Sequence, residues 1–149
     1  MSGVDKLIGI AGRRSEEALL AWRQLRAQCD EAIRKLSLLK QYRERYRDLM
    51  RAALAEGVPA PAMLTYLDFI KQIEQVALRQ ESDVGNLESA CAQYWQELVA
   101  ARREKRMYEI LGERAAAEEA RHALRRRQKE VDELLQRAAK IDEKRNFGI

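Results

Sequence analysis

The 149-residue chain has two prolines, seven glycines, two cysteines, one histidine and 6% aromatic residues. Each shortage closes off a class of protein. With so few aromatic and β-branched side chains, a sandwich, a barrel or a doubly wound sheet lacks the residues its strands would need. A deep enzyme pocket lacks its walls for the same reason. Cys29 and Cys91 are too few for a disulfide framework and read as small core residues of a protein kept reduced. His122 has no second His or nearby Cys with which to build a metal site. No nucleophile, base and orienter converge, and no glycine-rich phosphate loop is present. Neither catalysis nor a cofactor is expected. The apolar run at the N-terminus is too short for a signal peptide, and no window approaches ~20 uncharged apolar residues. The expectation is a cytosolic, non-enzymatic protein without direct membrane insertion.

What is present is charge and helix-forming residues. The chain carries 28 Lys+Arg against 24 Asp+Glu, a net charge of +4, with 35% of residues charged. In a background of Ala, Leu, Glu, Arg and Gln, that composition describes long helices. Both prolines lie in Glu56-Gly57-Val58-Pro59-Ala60-Pro61. A Gly just past a helix end followed by Pro is a stop signal, and Pro61 suits the first turn of a second helix. The reading is an all-α single coiled-coil domain: helix 1 over about 4–56, a turn at about 57–60 and helix 2 over about 61–145. Gly9 and Gly12 weaken the first turns, so the start of helix 1 falls anywhere from residue 4 to residue 15.

A heptad stripe can be counted along helix 1. Val4, Ile8, Ala11, Ser15, Ala18, Trp22, Leu25, Cys29, Ala32, Leu36, Leu39, Arg43, Tyr46, Met50 and Ala53 alternate at spacings of four and three. Only Ser15 and Arg43 are polar, and this 3.5-residue period marks a left-handed coiled-coil seam. Helix 2 repeats it through Ile70, Ile73, Ala77, Gln80, Val84, Leu87, Cys91, Tyr94, Leu98, Ala101, Lys105 and Tyr108. A turn near residue 59 gives antiparallel partners whose numbers sum to about 118. Trp22 then faces Tyr94 and Trp95, which predicts an aromatic layer. Residues 1–57 hold 12 basic and 8 acidic side chains, whereas 58–100 hold 2 and 6. Opposite net charges favour pairing of the two arms within one chain.

The same sum pairs residue 4 near residue 114, so helix 2 overhangs helix 1 from about residue 116 to 145. After Tyr108 the phase reaches Gly112, Glu119 and His122, all poor core residues. A new stripe begins at Leu124 and continues through Val131, Leu134, Ala138 and Ile141, with Leu135 beside it. At 1.5 Å per residue helix 1 spans about 80 Å, helix 2 about 125 Å and the overhang about 45 Å, which describes a rod paired at one end. The overhang is an amphipathic helix with nothing in its own chain to cover Leu124, Val131, Leu134, Leu135 and Ile141. It is read as a helix-in-groove ligand for a partner, the other reading being a segment frayed when alone.

Two further clusters stand out. Residues 101–130 hold 10 Lys/Arg against 6 acids. Arg121, Arg125, Arg126 and Arg127, with Arg13 and Arg14 across the hairpin, form either a collar for an acidic partner or a solvated face. The interleaved acids would repel phosphates, and a basic zipper would need a parallel dimer, so nucleic acid is not the expected partner. Near the turn, Leu39, Tyr42 and Tyr46 lie opposite Phe69, Ile73 and Val76. Tyr42 and Phe69 fall off the stripe, so part of this cluster is expected to face solvent, as extra packing or as a binding patch.

These residues resemble a known family. The segment Cys29–Tyr46 with its Leu-x-x-Tyr-x-x-x-Tyr ending, the segment Tyr66–Gln80, and the run from Trp95 to Gln128-Lys-Glu-Val-Asp-Glu133 together look like FliJ, a coiled-coil component of the flagellar type III export apparatus. The resemblance covers nearly the whole chain. It implies an antiparallel two-helix stalk whose joined N- and C-terminal ends enter the hexameric flagellar export ATPase. The hairpin end would meet the cytoplasmic part of the export gate membrane protein, and the C-terminal helix would bind empty export chaperones. Carried over by position, the gate-binding surface is Leu39, Tyr42, Tyr46, Phe69, Ile73, Val76 and Gln80. Val76 and Gln80 stand where other members carry a small Ala or a His. The ATPase-facing residues, Arg13, Arg14, Arg121, Arg125, Arg126 and Arg127, follow from charge and location alone. The equivalent stalk of a virulence injectisome and a self-assembling scaffold are the alternatives.

Overall fold

A computed structural model describes residues 3–148. It contains two α-helices, α1 (Gly3–Ala55) and α2 (Ala60–Phe147), and no strand among the described residues. Helix α1 runs from Gly3 straight through Gly9 and Gly12. Tertiary pairing offsets the roughly 1 kcal/mol that each glycine costs a helix interior.

The turn is built from backbone hydrogen bonds. Val58 N donates to Ala53 O and Gly57 N to Leu54 O, each at 3.2 Å. This six-to-one and five-to-two pattern is a Schellman cap, which needs a left-handed residue at its C′ position. Gly57 supplies it with φ 77°, the one positive-φ residue described. Val58 is half-buried and Ala53 buried, in keeping with the apolar contact that accompanies this cap. Pro59 then ends any continuation, and its carbonyl accepts from Ala62 N at 3.0 Å to open α2.

The chain divides into two compact units, Arg13–Arg102 and Met1–Gly12 with Arg103–Ile149. In the first, the seam is made of small and medium side chains: Cys29, Ala32, Ala53, Ile70, Ile73, Ala77, Val84 and Leu98 are buried, with Ser15. Partner numbers follow the antiparallel sum, with Trp22 against Trp95 and Arg47 against Glu74. Every position of the α1 stripe is buried or half-buried, Arg43 included, and on α2 only Tyr94 departs. Trp22 and Trp95 do meet, with ring centroids 5.0 Å apart and planes tilted by 52°. The expected aromatic layer is nevertheless not a buried one. Tyr94 and Trp95 are exposed, and Arg26 lies over the Trp22 ring at 5.4 Å. Three rings exceed what a two-helix seam can cover, so one indole spreads along its flank.

In the second unit Gly112 behaves otherwise than its residue type suggested. It is half-buried, and a Cβ built on it would lie 3.3 Å from Ile8 Cδ1 and 3.4 Å from Val4 Cγ1. The seam therefore extends one step past Tyr108, because the missing side chain lets Val4 and Ile8 reach the α2 backbone. From Glu113 to Gly148 every residue is exposed.

Candidate functional site

In the unit that carries the turn, the residues expected to bind a partner form a real cluster. Tyr46, on the seam and half-buried, contacts Phe69 with ring centroids 4.4 Å apart at 48°. Such an offset, tilted pair adds about 1 kcal/mol beyond its area. The pair anchors Phe69 while leaving it 42% exposed. Tyr42 and Val76 are 52% and 43% exposed on the same stretch. Leu39 is half-buried and Ile73 buried, so they support the patch from beneath. Gln80 is tied down. Its Nε2 donates to the carbonyl of Ala32 at 3.0 Å, a cross-seam bond that locks the local register.

Ion pairs brace the same region. Arg47 Nη2 lies 2.8 Å from Glu74 Oε1, and Lys40 Nζ lies 3.6 Å from Glu81 Oε1. Hydrogen bonding to Glu74 first, and then to Glu44, raises the Arg47 pKa further above its ordinary value. Arg43 holds a seam position with its Nε buried and without a hydrogen bond. The opposite net charges of the two arms agree with these pairs, but which residues meet follows only from the register.

A shallow groove of about 530 Å³ lies elsewhere in this unit, lined by Trp22, Cys29, Glu88, Cys91 and Trp95 among others. Burial raises the Cys29 thiol above its ordinary pKa of 9.0, and the negative charge of Glu88 adds to the shift. Cys29 is thus a poor nucleophile. No group of three or more His, Cys, Asp or Glu side chains among the described residues could hold a metal ion.

In the other unit, Leu124, Val131, Leu134, Leu135 and Ile141 are exposed, each more than half so. Arg121, Arg125, Arg126 and Arg127 are exposed around them, and Arg121 Nε reaches only its own helix at the Ala117 carbonyl, 3.5 Å away. Upstream, Arg106 is engaged by Glu109 and Glu113, both at 3.3 Å, and hydrogen bonding to Glu109 leads the rise in its pKa. Arg125, Arg126 and Arg127 follow on the same helix, all exposed. Arg13 and Arg14 are exposed and belong to the first unit. No described helix is long and apolar enough to cross a membrane.

The sequence profile described as "Flagellar FliJ protein" matches residues 1–143. Neither a curated protein nor a solved structure matches the chain significantly.

Proposed function

The chain belongs to the FliJ family, non-catalytic components of flagellar type III export, and from that premise we propose that it acts as the central stalk of the export ATPase ring. In this reading it links the ring to the cytoplasmic part of the export gate and escorts export chaperones, working in the cytoplasm at the inner membrane. The family match over residues 1–143 is the observation that carries the proposal.

The chemistry of the surfaces supports a division of labour. The exposed arginines Arg13, Arg14, Arg121, Arg125, Arg126 and Arg127 suit an acidic-lined ring. The bare apolar side chains Leu124, Val131, Leu134, Leu135 and Ile141 suit a chaperone groove. Leu39, Tyr42, Tyr46, Phe69, Ile73, Val76 and Gln80 suit the gate, with Tyr42 and Phe69 as its anchors. No reaction is carried out by the chain itself. It alters ATP hydrolysis by binding one conformation of the ring more tightly than another.

The test is steady-state ATP hydrolysis by the purified export ATPase with and without this protein, alongside gel filtration of the mixture. Stimulation with a shift toward hexamer is expected. Reversing Arg125, Arg126 and Arg127 to Glu should abolish stimulation while leaving helicity intact. Normal stimulation by that variant would reduce the basic stretch to a solvated face. Dimerisation of the chain with no effect on the ATPase would replace the stalk by a scaffold.

A further inference from the structure

Over residues 39–50 of α1 and 69–81 of α2, the two flanks of the seam are built differently. The twofold axis that relates antiparallel helices maps each heptad position onto itself, so matching positions of α1 and α2 share a flank. The residues just after Leu39, Tyr46, Ile73 and Gln80 are Lys40, Arg47, Glu74 and Glu81, and they close one flank with the ion pairs Lys40–Glu81 and Arg47–Glu74. The residues just before Arg43, Met50, Ile70 and Ala77 are Tyr42, Leu49, Phe69 and Val76. All four are exposed, and they present apolar surface where the opposite flank presents paired charge.

One position further out, this open flank is edged by Arg45 on α1 and Arg79 on α2, both exposed and neither in an ion pair. Leu38 extends the strip at 39% exposure. From Leu38 to Leu49 the strip runs about 16 Å, the length of three helical turns. An apolar strip of that length between two unpaired guanidinium groups has the outline of a seat for one more helix.

We propose that the open flank seats an amphipathic helix of the export gate protein, with carboxylates along both edges of its apolar face to meet Arg45 and Arg79. This inference rests on the reading above that the gate binds near the turn, and adds the chemistry of what binds. Apolar residues three and four apart on that helix lie against Tyr42, Leu49, Phe69 and Val76. Charge decides between this occupant and a second copy of the chain. A twofold contact through this flank would bring two copies' Arg45 and Arg79 to one interface, where like charges oppose each other. A carboxylate-edged helix turns the same two cations into charge-assisted hydrogen bonds.

The test is a titration of the full-length protein with the soluble cytoplasmic region of the gate protein, at low and high salt, read by isothermal calorimetry. Removing both anchors with Tyr42→Ala and Phe69→Ala should weaken binding roughly 100-fold at either salt. Reversing both edges with Arg45→Glu and Arg79→Glu should weaken it roughly tenfold at low salt and less at high salt. Lys71→Glu, outside the strip, should stay within about twofold. Loss of binding in the anchor variant with an unchanged edge variant would overturn the carboxylate-edged helix and leave the gate reading standing. No change in either, or no binding by the unaltered protein, would overturn both. A self-associated protein that the anchor variant turns monomeric in sedimentation would make a second copy the occupant and also overturn the proposal.

Discussion

Replacing one leucine at a time by alanine separates the part of the chain that holds the fold from the part that is bare in the free protein. Leu98 is 0% exposed and is the one large side chain fully buried among the described residues. Leu98→Ala deletes three carbon atoms, about 2.4 kcal/mol of transfer free energy at ~0.8 kcal/mol per methylene. The hole left in a seam lined by small residues adds to that, giving about 3 kcal/mol in total. Leu134 is 63% exposed, so the same substitution there forfeits only about a third of the transfer term. Alanine's higher helix propensity offsets part of this, and the net effect falls below about 0.5 kcal/mol. Thermal unfolding followed at 222 nm should show Leu98→Ala lower in Tm by about 6–12 °C, with Leu134→Ala unchanged within about 2 °C. Chaperone binding should show the reverse order. Equal destabilisation by the two substitutions would refute the reasoning, since it would mean that Leu134 is covered in the free protein.

Three smaller perturbations follow from single sites. Gly57→Ala places a side chain at φ 77° and should cost about 1 kcal/mol or more in urea unfolding; a neutral result would mean that the Schellman cap is dispensable. Gly85→Ala meets no atom within 4 Å of the new Cβ and should stabilise by up to about 1 kcal/mol in the same assay; destabilisation would expose a packing constraint there. Cys29 should alkylate more slowly in the folded than in the urea-unfolded chain at pH 8, read by mass spectrometry of the Cys29 peptide. Its pKa is raised in the fold, so the neutral thiol's contribution to stability is fully present below 9.0 and is lost as pH rises through the folded value. Equal rates would contradict this.

Much of the fold was legible because a coiled coil is written in one dimension. The spacing of Val4 to Ala53 named the seam residues, and the position of Gly57 and the prolines set which residues meet. Two places resisted. Gly112 looked like the end of the seam, yet Val4 and Ile8 pack close against it, because residue hydrophobicity says nothing of backbone access. Tyr94 sat in phase with the stripe, yet it is exposed, because Trp22 and Trp95 already fill the space at that level. The exposure of Tyr42 and Phe69 near the turn was visible in their off-stripe positions. The contrast between the seam's two flanks was not, since it depends on which side each ion pair closes.

The register also dictates the order in which the chain acquires its structure during synthesis. Arg47 waits 27 residues for Glu74, and Ala32 waits 48 for Gln80. Trp22 must wait for Trp95, and Ile8 for Gly112. Contacts near the turn close the shortest loops and incur the least entropy, so association starts beside the Schellman cap and proceeds toward the chain ends. The first helix leaves the ribosome with its stripe bare and is covered only as its partner emerges. Residues 113–148 come last and are exposed throughout. Once residues 1–112 have left the ribosome the chain can hold every cross-helix contact described here.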